Sequence, residues 1–217
     1  MMANMGNTEK TDWDRYYRNP FPTALCLRRI TSGRLVRALK KYACFPAEQS
    51  PLQVLEFGGG NSSFARTITT HFSCSRYLAA DTNVIGVELF RQQKLSCHSD
   101  GVIHDVLLPP MANDFDFVFS AGLIEHFTPE QTALAVQNHF AALKPGGIAA
   151  FLFPADSVLY RSVRKIAEVT GCWSFPDERP LTAAEVKTAA GNQTLLHSEW
   201  IRCILLTQLL MIFRKDS

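Results

Sequence analysis

Apolar residues fall along this chain in two kinds of block, short dense runs of strand formers and longer stretches where they recur at helical spacing. Gln53 to Phe57, Arg76 to Ala80, the return through Leu95 to Val102 near Cys97, Asp116 to Ser120 and Ile148 to Phe153 are of the first kind and read as strands. Helices are predicted from about Ser32 to Ala43, with Leu35, Val36, Leu39 and Tyr42 on one face, and from Val84 to Arg91. Another carries Ala65, Ile68 and Phe72, and a further one carries Ala133, Val136, Phe140 and Leu143. The last of these has a marked start, because Thr128-Pro129-Glu130-Gln131 is a capping box with proline at the first helical position; Leu143-Lys144-Pro145-Gly146-Gly147 ends it. Strand and helix alternating in this way predict an α/β fold with a parallel sheet, right-handed crossovers and ligands at the carboxyl edge of the strands.

Beyond Pro154 the pattern changes. Pro154 to Trp173 reads as a helical insert carrying Tyr160, Arg161 and Arg164 beside the pocket mouth, with a purely structural role as the alternative. Thr182-Ala183-Ala184-Glu185 is a second capping box, Gly191 stops its helix, and Leu195 to Arg202 and Leu206 to Arg214 read as two adjacent strands. Ahead of the core, Met1 to Thr11 is polar and reads as disordered, whereas Trp13, Tyr16 and Tyr17 concentrate aromatic surface in a short segment.

Composition narrows the class without deciding the function. The 217 residues, 47% of them hydrophobic, bury one full core, which predicts one domain with an N-terminal extension. A formal net charge of +2 gives no ground for expecting nucleic acid. The six cysteines include no C-x-x-C pair, so no metal knuckle or redox motif is expected and the thiols are read as free in a reducing compartment. Residues 1–10 lack an apolar signal core, and the run Cys203 to Phe213 is too short and too interrupted to span a bilayer; a cytoplasmic protein, monomer or homodimer, is expected. Arg34, Arg37 and Lys41 share the polar face of the first long helix, with Arg28, Arg29 and Lys40 nearby; the face is read as solvated, with guidance of a phosphate-bearing substrate as the alternative.

The candidate chemistry centres on Val54-Leu55-Glu56-Phe57-Gly58-Gly59-Gly60-Asn61-Ser62-Ser63. A strand ends at glycines that let a ligand approach the backbone, and Asn61, Ser62 or Ser63 caps the following helix, together forming a nucleotide-cofactor cradle. The dinucleotide fingerprint wants a third glycine where Ser63 stands. Asp81, about twenty residues past the glycines at the end of the second strand, is where such folds present a carboxylate to ribose hydroxyls.

The segment Glu56 to Ser62 resembles motif I of the class I S-adenosylmethionine (SAM) dependent methyltransferases, with Ser62 in place of the usual last glycine. Asp116 to Phe127 resembles the D-x-V-x-x-x-x-x-x-E-H passage of the small-molecule members, Leu143 to Gly147 their L-K-P-G-G strand entry, and Trp13 to Tyr17 their W-x-x-Y-Y lid. The resemblance implies a Rossmann-like, mostly parallel seven-stranded sheet with an antiparallel C-terminal strand. Residues 1–45 would be an N-terminal extension with lid helices, and residues 46–217 the SAM-binding domain.

It further implies a cofactor site made of Glu56 at the methionine end, Gly58, Gly59, Gly60, Asn61, Asp81 at the ribose, Thr82, Asp105 and Val106 near the adenine, Ser120, Ala121 and Tyr17. His126 is the candidate general base, because imidazole titrates near neutrality, with a packing or cofactor-contact histidine as the alternative. Trp13, Tyr16, Glu125, Phe153 and Tyr160 are candidates for the acceptor, and no metal is called for. The implied reaction moves the SAM methyl to a metabolite, sugar or lipid-linked acceptor, leaving S-adenosylhomocysteine (SAH). A nucleic-acid acceptor is not expected, since Ser120-Ala121-Gly122-Leu123 stands where the amino-methylating nucleic-acid enzymes carry N-P-P-Y. An NAD-dependent oxidoreductase, disfavoured by Ser63 and by the final strand pair, and a SAM-binding protein without turnover are the competing readings.

Overall fold

The structure, a computed structural model, describes residues 10–19, 22–43, 45, 50–203 and 206–216. Four of the dense apolar runs become neighbouring parallel strands largely buried on both faces, which is why they read as continuous rather than alternating, whereas the run near Cys97 leads into a largely exposed edge strand. Strand β1 (Leu52–Phe57) pairs with β2 (Cys74–Asp81) on one side and β4 (Phe115–Ala121) on the other; β3 (His98–Ile103) lies outside β2 and β5 (Leu143–Pro154) outside β4. The sheet closes with a hairpin: β7 (Leu206–Arg214) runs antiparallel to β5, and β6 (Thr194–Cys203) pairs antiparallel with β7 at the edge. The strand order is β3-β2-β1-β4-β5-β7-β6.

Helices cover both faces. On one, α2 (Pro22–Tyr42) and α3 (Ala65–His71) bury Leu35, Leu39, Ala65 and Ile68 against Val54, Phe117 and Ile212. On the other, α5 (Pro129–Ala141) and α7 (Ala183–Ala190) bury Val136, Phe140 and Val186 against Leu55, Val118, Phe151 and Phe213. The capping box at Thr128 forms in full, the Gln131 side chain accepting from the Thr128 amide. At Thr182 the hydroxyl takes the Glu185 amide while the Glu185 carboxylate turns to Arg179. Strand order reverses between β1 and β4, so a crevice opens at their carboxyl ends. The short α1 (Trp13–Arg18), α4 (Val84–Arg91) and α6 (Val158–Val169) surround it with the loops after β4 and α6.

Some boundaries depart from expectation. Helix α2 starts at Pro22 rather than near Ser32, because its proline occupies the first helical turn instead of a turn before it. On α5 the core face is Thr132, Ala135, Val136, His139 and Phe140, with Ala133 only part-buried; a histidine buried between Phe57 and Phe151 takes the place of the expected alanine. Arg34 pairs with Glu199 of β6 at 2.8 Å on the surface, which supports the solvated reading of that charged face.

Candidate active site

The glycine loop follows directly from β1. Gly58 turns with φ +67°, a region that favours glycine, and a Cβ there would sit 3.0 Å from Leu123 Cδ1. Its N–H donates to the carbonyl of Ala80 at 2.8 Å, locking the loop to β2. Ser62, which stands where the resemblance expects glycine, uses its hydroxyl to accept from the amides of Phe64 (3.1 Å) and Ala65 (3.0 Å), so it starts α3.

Asp81 ends β2 beside this loop. Its Oδ2 accepts from the Gly60 amide at 2.9 Å and from the Tyr17 hydroxyl at 2.7 Å, and its Oδ1 from the Asn83 amide at 2.8 Å. Tyr17 therefore lies directly over the loop: a Cβ on Gly60 would come within 2.1 Å of the Tyr17 oxygen, and one on Gly86 within 2.8 Å of its ring. The remaining cleft, about 30 Å³, is lined by Tyr17, Arg28, Glu56, Gly58, Asn61 and Ala121 among others. Glu56 is buried, receives the Tyr77 hydroxyl at 2.5 Å, and has its carboxyl pushed up to about 7 by burial, against hydrogen bonds from Ser62 and Tyr77 and the charge of Arg28.

A second, larger cavity of about 190 Å³ adjoins the first, and Arg28, Phe64 and Ala121 line both. Its walls include Trp13, Tyr16, Tyr160, Trp173 and Phe175, ring against ring: Tyr160 to Trp173 at 6.2 Å, Trp173 to Phe175 at 6.0 Å, Phe175 to Tyr16 at 5.6 Å and Tyr16 to Trp13 at 5.6 Å between centroids. Its floor holds Glu125, His126 and Glu178, whose donor atoms lie within 4.8 Å of one another. Beside them, Asp177 Oδ1 lies 3.1 Å from His126 Nδ1 and accepts from the Thr11 hydroxyl. Burial lowers the affinity of His126 for its proton, but the bond to Asp177 and the charges of Glu125, Asp177 and Glu178 overcome it and raise the imidazole above its ordinary value. Glu125 is 1% exposed and its Oε2 has no partner among the described residues; burial holds its carboxyl above the ordinary range, against the pull of His126. Glu178 is raised by burial as well, and the Tyr160 hydroxyl donates to it.

The crevice thus brings together Trp13, Tyr16, Tyr17, Glu56, Gly58, Gly59, Gly60, Asn61, Asp81, Ala121, Glu125, His126 and Tyr160. Phe153 is a correction. It was expected at the acceptor, yet it is fully buried in the α5–α7 core layer with Phe151, because residues two apart on β5 share a face; Pro154, the next residue, reaches the cavity. Thr82 is exposed, Asp105 accepts the Leu107 amide at 2.9 Å to shape the loop after β3, Val106 is buried, and Ser120 is 1% exposed at the end of β4; none of these lines either cavity. The sequence reading passed over Phe175, Asp177 and Glu178. Their one signal was the run Trp173-Ser174-Phe175-Pro176-Asp177-Glu178, aromatic and acidic together in a loop, which has no period to mark which side chains turn inward.

The family model described as "Methyltransferase domain" matches residues 54–147, the span from β1 into β5. No curated protein sequence matches the chain. Among solved structures, the N-methyltransferase NodS from Bradyrhizobium japonicum WM9, in complex with SAH, superposes with a TM-score of 0.71 at 19% identity, covering 94% of this chain and 96% of that one. The magnesium protoporphyrin IX methyltransferase ChlM from Synechocystis PCC 6803, with bound SAH, gives 0.73 at 12% identity, covering 94% of each. The chain has the fold of these SAH-bound methyltransferases, and the stretch that matches the methyltransferase-domain model holds the glycine loop, Asp81 and the Glu125–His126 turn. The seven-stranded sheet with its terminal hairpin is the Rossmann-like fold expected of that class. Among the described residues, no helix is long and apolar enough to cross a membrane.

Proposed function

We propose that the enzyme methylates a small-molecule acceptor, a metabolite, sugar or lipid-linked compound, held in the aromatic-walled cavity. The observation that carries this reading is the junction of the two cavities at Arg28, Phe64 and Ala121: a ligand along the glycine loop and one between the aromatic rings meet there. SAM, when bound, supplies a methyl already activated on a sulfonium, so the protein's task is to hold the acceptor in line with that carbon and keep water out.

The residues fit such a cofactor. The glycine loop, with Gly58 at positive φ and Gly60 bare, is a cradle that a side chain would fill, and Asp81 offers a carboxylate for ribose hydroxyls once Tyr17 gives up its bond. Glu56 and Arg28 line the same cleft for the amino-acid end of the cofactor, a cation and a carboxyl group for a carboxylate and an ammonium. Asn61 and Ala121 also line it, and Asp105 and Val106, in the loop after β3, are assigned to the adenine. On the acceptor side, Trp13, Tyr16 and Tyr160 enclose the substrate while Glu125 and His126 manage its proton, His126 oriented by Asp177. A cytoplasmic location belongs to the same proposal, supported by the free thiols of Cys74, Cys97 and Cys172.

The test is transfer of labelled methyl from SAM to small-molecule fractions, comparing wild type with Tyr160→Ala and Trp13→Ala. Labelled small-molecule product made by wild type and reduced at least about tenfold in both variants is expected. Label appearing only in protein or nucleic acid would refute the reading.

A further inference from the structure

We propose that the acceptor group is a basic amine, bound as its ammonium ion against Glu125 and enclosed by the rings of Trp13, Tyr16, Trp173 and Phe175. This rests on the reading of the aromatic-walled cavity as the acceptor site.

Two buried carboxyl groups face the cavity, with His126 beside them and Arg28 on the wall. Glu125 and Glu178, 1% and 8% exposed, both line it, and the Oε2 of Glu125 is buried without a hydrogen-bond partner among the described residues. A buried polar atom of this kind is costly unless something donates to it. Most of the neighbouring groups are already committed, the second ring nitrogen of His126 being the exception. His126 Nδ1 faces Asp177, Tyr160 donates to Glu178, Arg179 binds the Phe127 carbonyl, Thr132 and Glu185, and Arg164 binds Glu168 and the Glu178 carbonyl. Arg28, the arginine on the wall, bonds to the Tyr16 hydroxyl and lies at the junction beside Glu56. An N–H donor carrying positive charge would satisfy Glu125, and π faces around it attract the same cation. A neutral hydroxyl would satisfy the hydrogen bond but gain nothing from the rings or from the second carboxylate.

The chemistry closes with the same groups. The ammonium gives one proton to the Glu125 carboxylate and becomes a neutral amine with a free lone pair. That lone pair forms the new nitrogen–carbon bond as the carbon–sulfur bond of SAM breaks, the sulfur keeping its electron pair, so the products are a methylated ammonium, SAH and protonated Glu125, which returns its proton to water. Total charge is unchanged in the transfer.

The probes are benzylamine and benzyl alcohol, alike in shape and different in charge, titrated into the SAH-loaded protein by calorimetry and by the fluorescence of Trp13 and Trp173. Benzylamine is expected to bind at least about tenfold tighter than the alcohol, with Glu125→Gln removing the preference and keeping the affinity for SAH. Equal or tighter binding of the alcohol to wild type overturns the amine assignment and leaves the cavity as an acceptor site. Binding of neither probe while SAH still binds removes the cavity reading itself, and the proposal with it. Manganese that binds the Glu125, His126 and Glu178 donors and displaces benzylamine would assign the cluster to a metal ion instead, also overturning the proposal. The wild-type comparison decides the matter even if Glu125→Gln fails to fold.

Discussion

Asp81 shows how much one side chain does at this site. It holds the Gly60 amide, starts the turn to α4 through the Asn83 amide, and takes the Tyr17 hydroxyl, so one carboxylate ties together the glycine loop, α4 and α1. A hydrogen bond to a charged group contributes roughly 1.5 to 3 kcal/mol, so Asp81→Ala is expected to weaken SAH by about tenfold to a hundredfold in calorimetry. A loss below about twofold would place the ribose elsewhere. His139 makes a different contribution. It is fully buried between Phe57 and Phe151, bonds through Nδ1 to the Ala135 carbonyl at 2.7 Å, and burial pushes its pKa down to about 4. The unfolded chain takes up this proton near pH 6.5 and the folded one resists it, so the stability from the neutral ring is fully present above about pH 6.5 and is lost as pH falls toward 4. Urea midpoints from pH 7 to 4 are expected to fall less steeply in His139→Phe than in wild type; parallel slopes would show that His139 does not carry the acid sensitivity.

Helix α1 is the element that joins both cavities. Asp12 caps it, Asp14 reaches Asn83 at 2.6 Å, Tyr17 covers the glycine loop, and Trp13 and Tyr16 form part of the wall of the larger cavity. Tyr17 fills the space over Gly60 and bonds to Asp81, so a cofactor seated on the loop is expected to displace this helix and the aromatic contacts to close again over bound ligands. Hydrogen exchange at Trp13 to Tyr17 is expected to slow when SAH and acceptor bind; equal protection with and without them would make α1 a fixed staple. The elements themselves were readable where local chemistry left one choice. The capping box at Thr128, the N-cap at Thr182, the apolar strands and the turn at Gly58 need no knowledge of what lies across the sheet, whereas the second half of the expected box at Thr182 is lost to Arg179. Phe153 was misplaced because a strand buried on both faces hides which side each residue takes, and Phe175, Asp177 and Glu178 were passed over because a loop's inward side is set by tertiary contacts such as those of Trp13 and His126.

For the molecule as a whole, the sheet order places the glycine loop after β1, Asp81 after β2 and the Glu125–His126 turn after β4 around one crevice, although they are far apart in the chain. The C-terminal hairpin adds Thr207 and Gln208 to the cavity wall and separates this fold from a plain dinucleotide-binding one. The most direct measurement of the account is calorimetric titration of SAH and of NAD into wild type and into Gly58→Val, with circular dichroism to establish that the variant is folded. Valine at Gly58 must adopt φ +67° and press on Leu123, so the loop cannot keep its path. Wild type is expected to bind SAH and not NAD, and folded Gly58→Val to lose SAH binding; unchanged SAH affinity in the folded variant would contradict the assignment of the glycine loop as the cofactor site.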